Sequence, residues 1–165
     1  MANKAIFFDR DGTLNVDVDY LHRKEDFEWM PGAIEAIRYA NEAGFLVIVV
    51  TNQSGVARGF FPESDVTELH DFMNDELKKH GAHIDAFYYC PHLPDGKIKQ
   101  YAISCDCRKP RPGLIERAVK EHDIDRASSL LIGDGDRDIK SAESAHIKGV
   151  KYQGENLLEL LKKYI

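Results

Sequence analysis

The chain has 165 residues, 43% apolar and 30% charged, with a formal net charge of −6. That balance fits one soluble globular domain spanning residues 1–165 and excludes a disordered polyelectrolyte. It lacks the basic block that holds a nucleic acid, and Ala5–Phe8 is too short an apolar run for a secretion signal or membrane helix. The expectation is a cytoplasmic monomer with no nucleic-acid or membrane partner.

Lys4–Asp9 is predicted as a strand. Pro31–Ala43 is predicted as a helix, with Pro31 in its first turn, Ile34 and Ile37 on one face and Gly44 at its stop. Phe45–Val50 is a continuous apolar run, as expected of a strand buried on both faces. Glu63–His80 carries Val66, Leu69, Met73 and Leu77 at helical spacing before Gly81. Ala86–Cys90 is predicted as a short aromatic strand and Pro112–His122 as a helix. Ser128–Gly133 is predicted as a strand, Asp136–Ala145 as a helix, His146–Tyr152 as a strand and Glu155–Tyr164 as a closing amphipathic helix. This alternation predicts an α/β fold, a doubly wound and mainly parallel sheet with helices on both faces. Two long irregular stretches remain, Arg10–Met30 and Pro91–Arg111. Such loops in a compact domain are more often functional than idle.

The first strand runs into Asp9-Arg10-Asp11-Gly12-Thr13. In extended backbone Asp9 and Asp11 would lean to one side, with Arg10 turned away. Like charges so close call for a cation or a shared proton. Three more polar clusters follow: Thr51-Asn52-Gln53-Ser54-Gly55, Arg108-Lys109, and Gly133-Asp134-Gly135-Asp136-Arg137-Asp138. In a parallel sheet the C-terminal strand ends share one edge, so these groups can converge. Singly, each has an ordinary reading: Asp9–Gly12 as an Asx turn, Thr51-Asn52 as a capping turn, Lys109 as a solvated lysine, Asp134–Asp138 as a helix start. Together they suit phosphoryl transfer. Asp9 supplies a nucleophile and Asp11 an acid/base. Thr51 binds phosphate oxygens and Lys109 offsets their charge. Three carboxylates with a phosphate require a cation, and all-oxygen ligands favour Mg²⁺.

All three cysteines, Cys90, Cys105 and Cys107, lie in one segment with His92. An odd count argues against a disulfide framework. Three thiolates and an imidazole make a complete tetrahedral set for structural Zn²⁺, pinning a loop at about residues 90–107. The alternative is that the cysteines are small buried apolar residues and His92 a loop histidine.

With these motifs the chain resembles the haloacid dehalogenase superfamily of phosphohydrolases over nearly its whole length. The motifs correspond to Asp9-x-Asp11-Gly12-Thr13, Thr51, Lys109, and Gly133-Asp134-x-x-x-Asp138. The resemblance implies Mg²⁺ held by Asp9, the Asp11 carbonyl and Asp134, with Asp138 supporting. Many members carry a cap domain, but the intervals from Asp11 to Thr51 and from Thr51 to Lys109 leave no room for one. Cys90-Pro91-His92 and Cys105-Asp106-Cys107-Arg108-Lys109-Pro110 resemble the branch of heptose 1,7-bisphosphate 7-phosphatases and histidinol-phosphatases. The long loop between His92 and Cys105 is similar to the heptose enzymes.

That resemblance implies hydrolysis of the 7-phosphate of a small sugar bisphosphate, a lipopolysaccharide precursor, through an aspartyl-phosphate. The implied substrate contacts are Asp17, Val18, Asp19, Tyr20, Thr51, Asn52, Gln53, Ser54, Arg108 and Lys109. The chain departs from the branch at Asp19, where glycine is usual, and at Gly135, where a substrate-contacting lysine is usual. Histidinol-phosphatase, or another small sugar-phosphate phosphatase, is the alternative within the class. A phospho-accepting receiver domain is the alternative outside it. His70, His80, His83, His122 and His146 are expected at the surface or at element ends. His22 is a candidate to line the site from the loop after Asp11, and Arg58 either reaches substrate or braces its loop.

Overall fold

The computed structural model describes residues 2–165. Five strands form one sheet: β1 (Ala5–Phe8), β2 (Leu46–Asn52), β3 (Ala86–Cys90), β4 (Leu130–Gly133) and β5 (Lys148–Lys151). Every neighbouring pair is parallel, and the order is β3-β2-β1-β4-β5. Five helices alternate with them: α1 (Ala33–Glu42), α2 (Glu63–Lys78), α3 (Gly113–His122), α4 (Asp136–Ser144) and α5 (Leu157–Lys162).

The period-two alternation of a strand divides β1 between two cores. Ile6 and Phe8 pack with α1, the end of α2 and α5 on one face. Ala5 and Phe7 pack with α3 and α4 on the other. A strand covered on both sides needs an unbroken apolar run, which is how β1, β2 and β4 read in the sequence. The six-residue α5 buries Leu157, Leu160 and Leu161, each worth roughly 1.5–3 kcal/mol on burial. A helix that short holds only through such packing.

The strand order reverses between β1 and β4, and the crevice above that reversal is where such sheets bind ligands. Receiver-type sheets run 2-1-3-4-5, so the observed order removes that alternative. β3, where a receiver carries its phospho-acceptor, is here an edge strand ending in Cys90.

Two details differ from the expectation. β2 continues through Thr51 and Asn52, because both pair in register with Tyr89 and Cys90 of β3. β1 stops at Phe8, so strand alternation does not set the Asp9–Asp11 geometry. The amides of Thr13, Leu14 and Asn15 all turn back onto the Arg10 carbonyl. The following loop is then tied down by Val16 N–H to Glu28 and Met30 N–H to Leu14. No helix among the described residues is long and apolar enough to cross a membrane.

Candidate active site and metal centres

The C-terminal ends of β1, β2 and β4 surround a polar cleft of about 280 Å³. Asp9 and Lys109 meet at its floor. Lys109 is buried, and its Nζ donates to Asp9 Oδ1 at 2.8 Å, to Asp138 Oδ1 at 2.5 Å and to the Val50 carbonyl at 3.0 Å. Its backbone is clamped as well: Asn52 Oδ1 accepts from the Lys109 amide at 3.0 Å, and Asn52 Nδ2 donates to the Lys109 carbonyl. Asn52 lines the cleft as expected, but its amide is committed to holding the lysine.

The floor is short of positive charge. One carboxylate oxygen each from Asp9, Asp134 and Asp138 lies within 4.8 Å of the others. One ammonium faces these three acids. Burial drives the Asp9 carboxyl well above its usual value; Lys109 pulls it down and Asp138 pushes it up. Burial opposes the Lys109 charge, but Asp9 and Asp138 more than restore it. A divalent cation with oxygen ligands fits this deficit. The Asp11 carboxylate lies outside the group. Asp138, expected only to support, is bound to Lys109 and also accepts from the Gly135 amide at 3.1 Å.

Asp11 is held elsewhere. Arg10 donates to both its oxygens, at 3.0 and 3.2 Å; Asn15 and Gln53 add further bonds. Burial raises the Asp11 carboxyl, but the Arg10 charge and these donors outweigh it, so it sits below the ordinary carboxylate value. The Gln53 amide also donates to Thr51 Oγ1 at 3.0 Å, linking the proposed acid/base to the proposed phosphate-binding hydroxyl.

Arg10 corrects the reading of a side chain turned away from the two acids, since it bonds to Asp11. It is 0% exposed, bonded to Asp11, to the Leu21 carbonyl and to His70. His70, expected at the surface or at an element end, is buried in the middle of α2 and stacks on Phe87 with centroids 4.2 Å apart. Helical spacing marks which face of α2 is buried, but not that a histidine on it meets an arginine. His22 stacks on Phe61 and lines a neighbouring groove instead of this cleft.

Asp17, Asp19, Tyr20, Ser54 and Arg108 line the cleft with the residues already described. Val18 is not among the lining residues and is 44% exposed. Arg58 lines the wall, bonded to Ser54 Oγ and lying over the Tyr20 ring at 5.4 Å. Arg137, absent from the expected contacts, also lines it. The available signal was a lone cation in the first turn of a helix whose other early residues are acids.

Cys90, His92, Cys105 and Cys107 form a second group with ligand atoms within 4.8 Å. Their sulfurs stand 3.0 to 3.5 Å apart, and His92 Nδ1 is 3.5 Å from Cys107 Sγ. A tetrahedral Zn²⁺ with bonds of about 2.3 Å spaces its sulfurs at about 3.8 Å. The four atoms are thus gathered at nearly coordinating distance and could hold such an ion. The loop between them is also anchored through Tyr101, whose hydroxyl shares the Glu63 carboxylate with Tyr89, each at 2.6 Å.

A doubly wound parallel sheet with an aspartate, a buried lysine and two further acids at its switch point defines a phosphohydrolase of the haloacid dehalogenase type. The chain belongs to the haloacid dehalogenase-like hydrolases. Residues 106–159 match the family model described as "HAD-hyrolase-like". A Rhodopseudomonas palustris protein named D-glycero-beta-D-manno-heptose-1,7-bisphosphate 7-phosphatase is 43% identical over 161 residues, 98% of this chain and 89% of its own. A Photorhabdus laumondii protein named for the alpha anomer is 42% identical, over 87% of this chain and 79% of its own. The crystal structure of D,D-heptose 1,7-bisphosphate phosphatase from B. bronchiseptica, complexed with magnesium and phosphate, superposes with a TM-score of 0.84. It is 30% identical, and 97% of each chain is covered.

Proposed function

We propose that this protein is a magnesium-dependent phosphatase that removes the 7-phosphate of D-glycero-D-manno-heptose 1,7-bisphosphate. The observation that carries the reading is the Asp9–Lys109 pair, buried at the floor of a cleft whose walls present arginines. The names and coverage of the relatives support the substrate.

Lys109 occupies Asp9 Oδ1, leaving Oδ2 to attack phosphorus. An O–P bond forms to Asp9 as the bond from phosphorus to the sugar oxygen breaks, and Asp11 gives that oxygen its proton. A water then attacks the aspartyl-phosphate, Asp11 takes the water's proton, and inorganic phosphate leaves with Asp9 regenerated. Arg10, Asn15 and Gln53 keep Asp11 ionised in the free site, the form the second step needs. An arriving phosphate dianion raises its proton affinity by like-charge repulsion, as the first step needs. Asp9, Asp134 and the Asp11 carbonyl would hold Mg²⁺, with Asp138 supporting. When bound, the ion supplies positive charge to the phosphate oxygens.

Cys90, His92, Cys105 and Cys107 would hold a structural Zn²⁺ just before Arg108 and Lys109. The same reading takes residues 1–165 as one domain working as a cytoplasmic monomer, which sedimentation at the mass of one chain would check.

The test is turnover of both heptose bisphosphate anomers and of histidinol phosphate. A higher kcat/KM on a bisphosphate anomer is expected, and a higher value on histidinol phosphate overturns the substrate. Asp9→Asn is expected to abolish turnover of every ester; surviving activity overturns the aspartyl-phosphate route.

A further inference from the structure

Arg137 is a cation where a helix start disfavours one. It lies in the first turn of α4, between Asp136 and Asp138. The positive end of a helix dipole favours acids there and repels a guanidinium. Its neighbours are committed elsewhere: Asp136 pairs with Lys151 at 2.7 Å, and Asp138 with Lys109. Among the described residues Arg137 has no ion pair and no side-chain hydrogen bond, although it lines the cleft. A guanidinium offers a fork that matches two phosphate oxygens.

Gly135 explains how the side chain is placed. Its backbone, at φ −109° and ψ 153°, is extended and open to any residue. A Cβ there would stand 3.4 Å from Asp138 Oδ2 and 3.8 Å from Arg137 Cγ, in ordinary contact with both. Glycine is therefore not demanded by the fold at this position. A longer side chain would compete with the Arg137 stem for the space beside residue 135.

The phosphate that is cleaved must reach Asp9 and Lys109 at the buried floor. Arg137 is exposed and sits on the β4 wall. It therefore faces the part of a substrate that projects from the floor. We propose that Arg137 is a specificity-determining residue that binds the second phosphate of the substrate, the one not hydrolysed, with Gly135 leaving room for its side chain. This rests on the sugar-bisphosphate reading above.

The experiment compares kcat/KM for heptose 1,7-bisphosphate and for heptose 7-phosphate, which lacks the second phosphate. Wild type, Arg137→Gln and Gly135→Leu are measured on both. A charge-assisted contact to phosphate predicts a roughly 10- to 100-fold loss on the bisphosphate in Arg137→Gln, chiefly through KM. Activity on the monophosphate is expected within about twofold of wild type. Gly135→Leu is expected to reproduce the pattern with Arg137 intact.

If wild type prefers the bisphosphate and Arg137→Gln keeps that preference, the role of Arg137 is overturned and the substrate reading stands. Equal losses on both substrates also overturn it, because the arginine would then serve the floor or the fold. If wild type shows no preference for the bisphosphate, the substrate reading and this proposal fall together.

Discussion

A Cβ on Gly12 would stand 2.3 Å from Oδ2 of Asp134 and 2.8 Å from its Cγ. The turns that leave β1 and β4 thus meet at the switch point of the sheet, and only a residue without a side chain lets them. Gly12 also sits at φ +86°, which costs an L-residue roughly 1–2 kcal/mol.

Gly12→Ala should therefore move Asp134 and weaken the cation site. The Mg²⁺ concentration for half-maximal activity is expected to rise about tenfold, equivalent to about 1.4 kcal/mol. Thermal stability is expected to fall by roughly 1–2 kcal/mol. Activity titrated against Mg²⁺, with melting followed by circular dichroism, checks both; an unchanged Mg²⁺ dependence contradicts the coupling.

Metal analysis of the untagged protein is expected to give one zinc per chain. Chelation should then destabilise the fold and also lower activity with Mg²⁺ restored, because Arg108 and Lys109 directly follow the last cysteine ligand. Cys105→Ser is expected to behave as the chelated protein. Full turnover of a zinc-free preparation would separate the cluster from the site.

His70 should make stability depend on pH. Burial, and next the Arg10 charge, hold its imidazole well below the ordinary value of 6.5. Arg10 Nη1 donates to His70 Nε2 at 3.2 Å, so this nitrogen accepts and the ring is neutral. Because the folded value is the lower one, His70 contributes full stability above the unfolded value near 6.5. That contribution is lost as pH falls below it, by up to about 1.4 kcal/mol per pH unit. Denaturant unfolding from pH 7.5 to 5 should show a shallower decline for His70→Gln than for wild type; parallel profiles would exclude the histidine as the source.

Much of this was legible before folding. A strand buried on both faces has to be an apolar run, so β1, β2 and β4 announced themselves, and the polar residues after them had to share one edge. The cysteine cluster was equally plain, since chemistry limits what three thiols and an imidazole in one segment can do. Arg10 was misread because alternation says which way a side chain leaves a strand, and the strand had already ended at Phe8. Its partners, Leu21 and His70, come from distant segments that no local pattern connects. Val18 is exposed and absent from the cleft lining that its loop neighbours Asp17, Asp19 and Tyr20 share, because adjacent loop residues need not face the same way. Asn52 lines the cleft, but its clamp on Lys109 spans 57 positions of sequence and needed the fold to appear.

The two borders of the sheet are protected by different means. β5, the chain Lys148-Gly149-Val150-Lys151, has an exposed lysine at each end, the kind of charge that discourages a foreign strand from pairing. β3, Ala86-Phe87-Tyr88-Tyr89-Cys90, has no charge and is rich in aromatic residues, a composition prone to recruiting one. Its last residue belongs to the cysteine cluster, and Tyr89 is joined through Glu63 to Tyr101 of the loop beyond. The cysteine–histidine loop therefore covers the end of the border strand that carries no charge, while lysines flank the other.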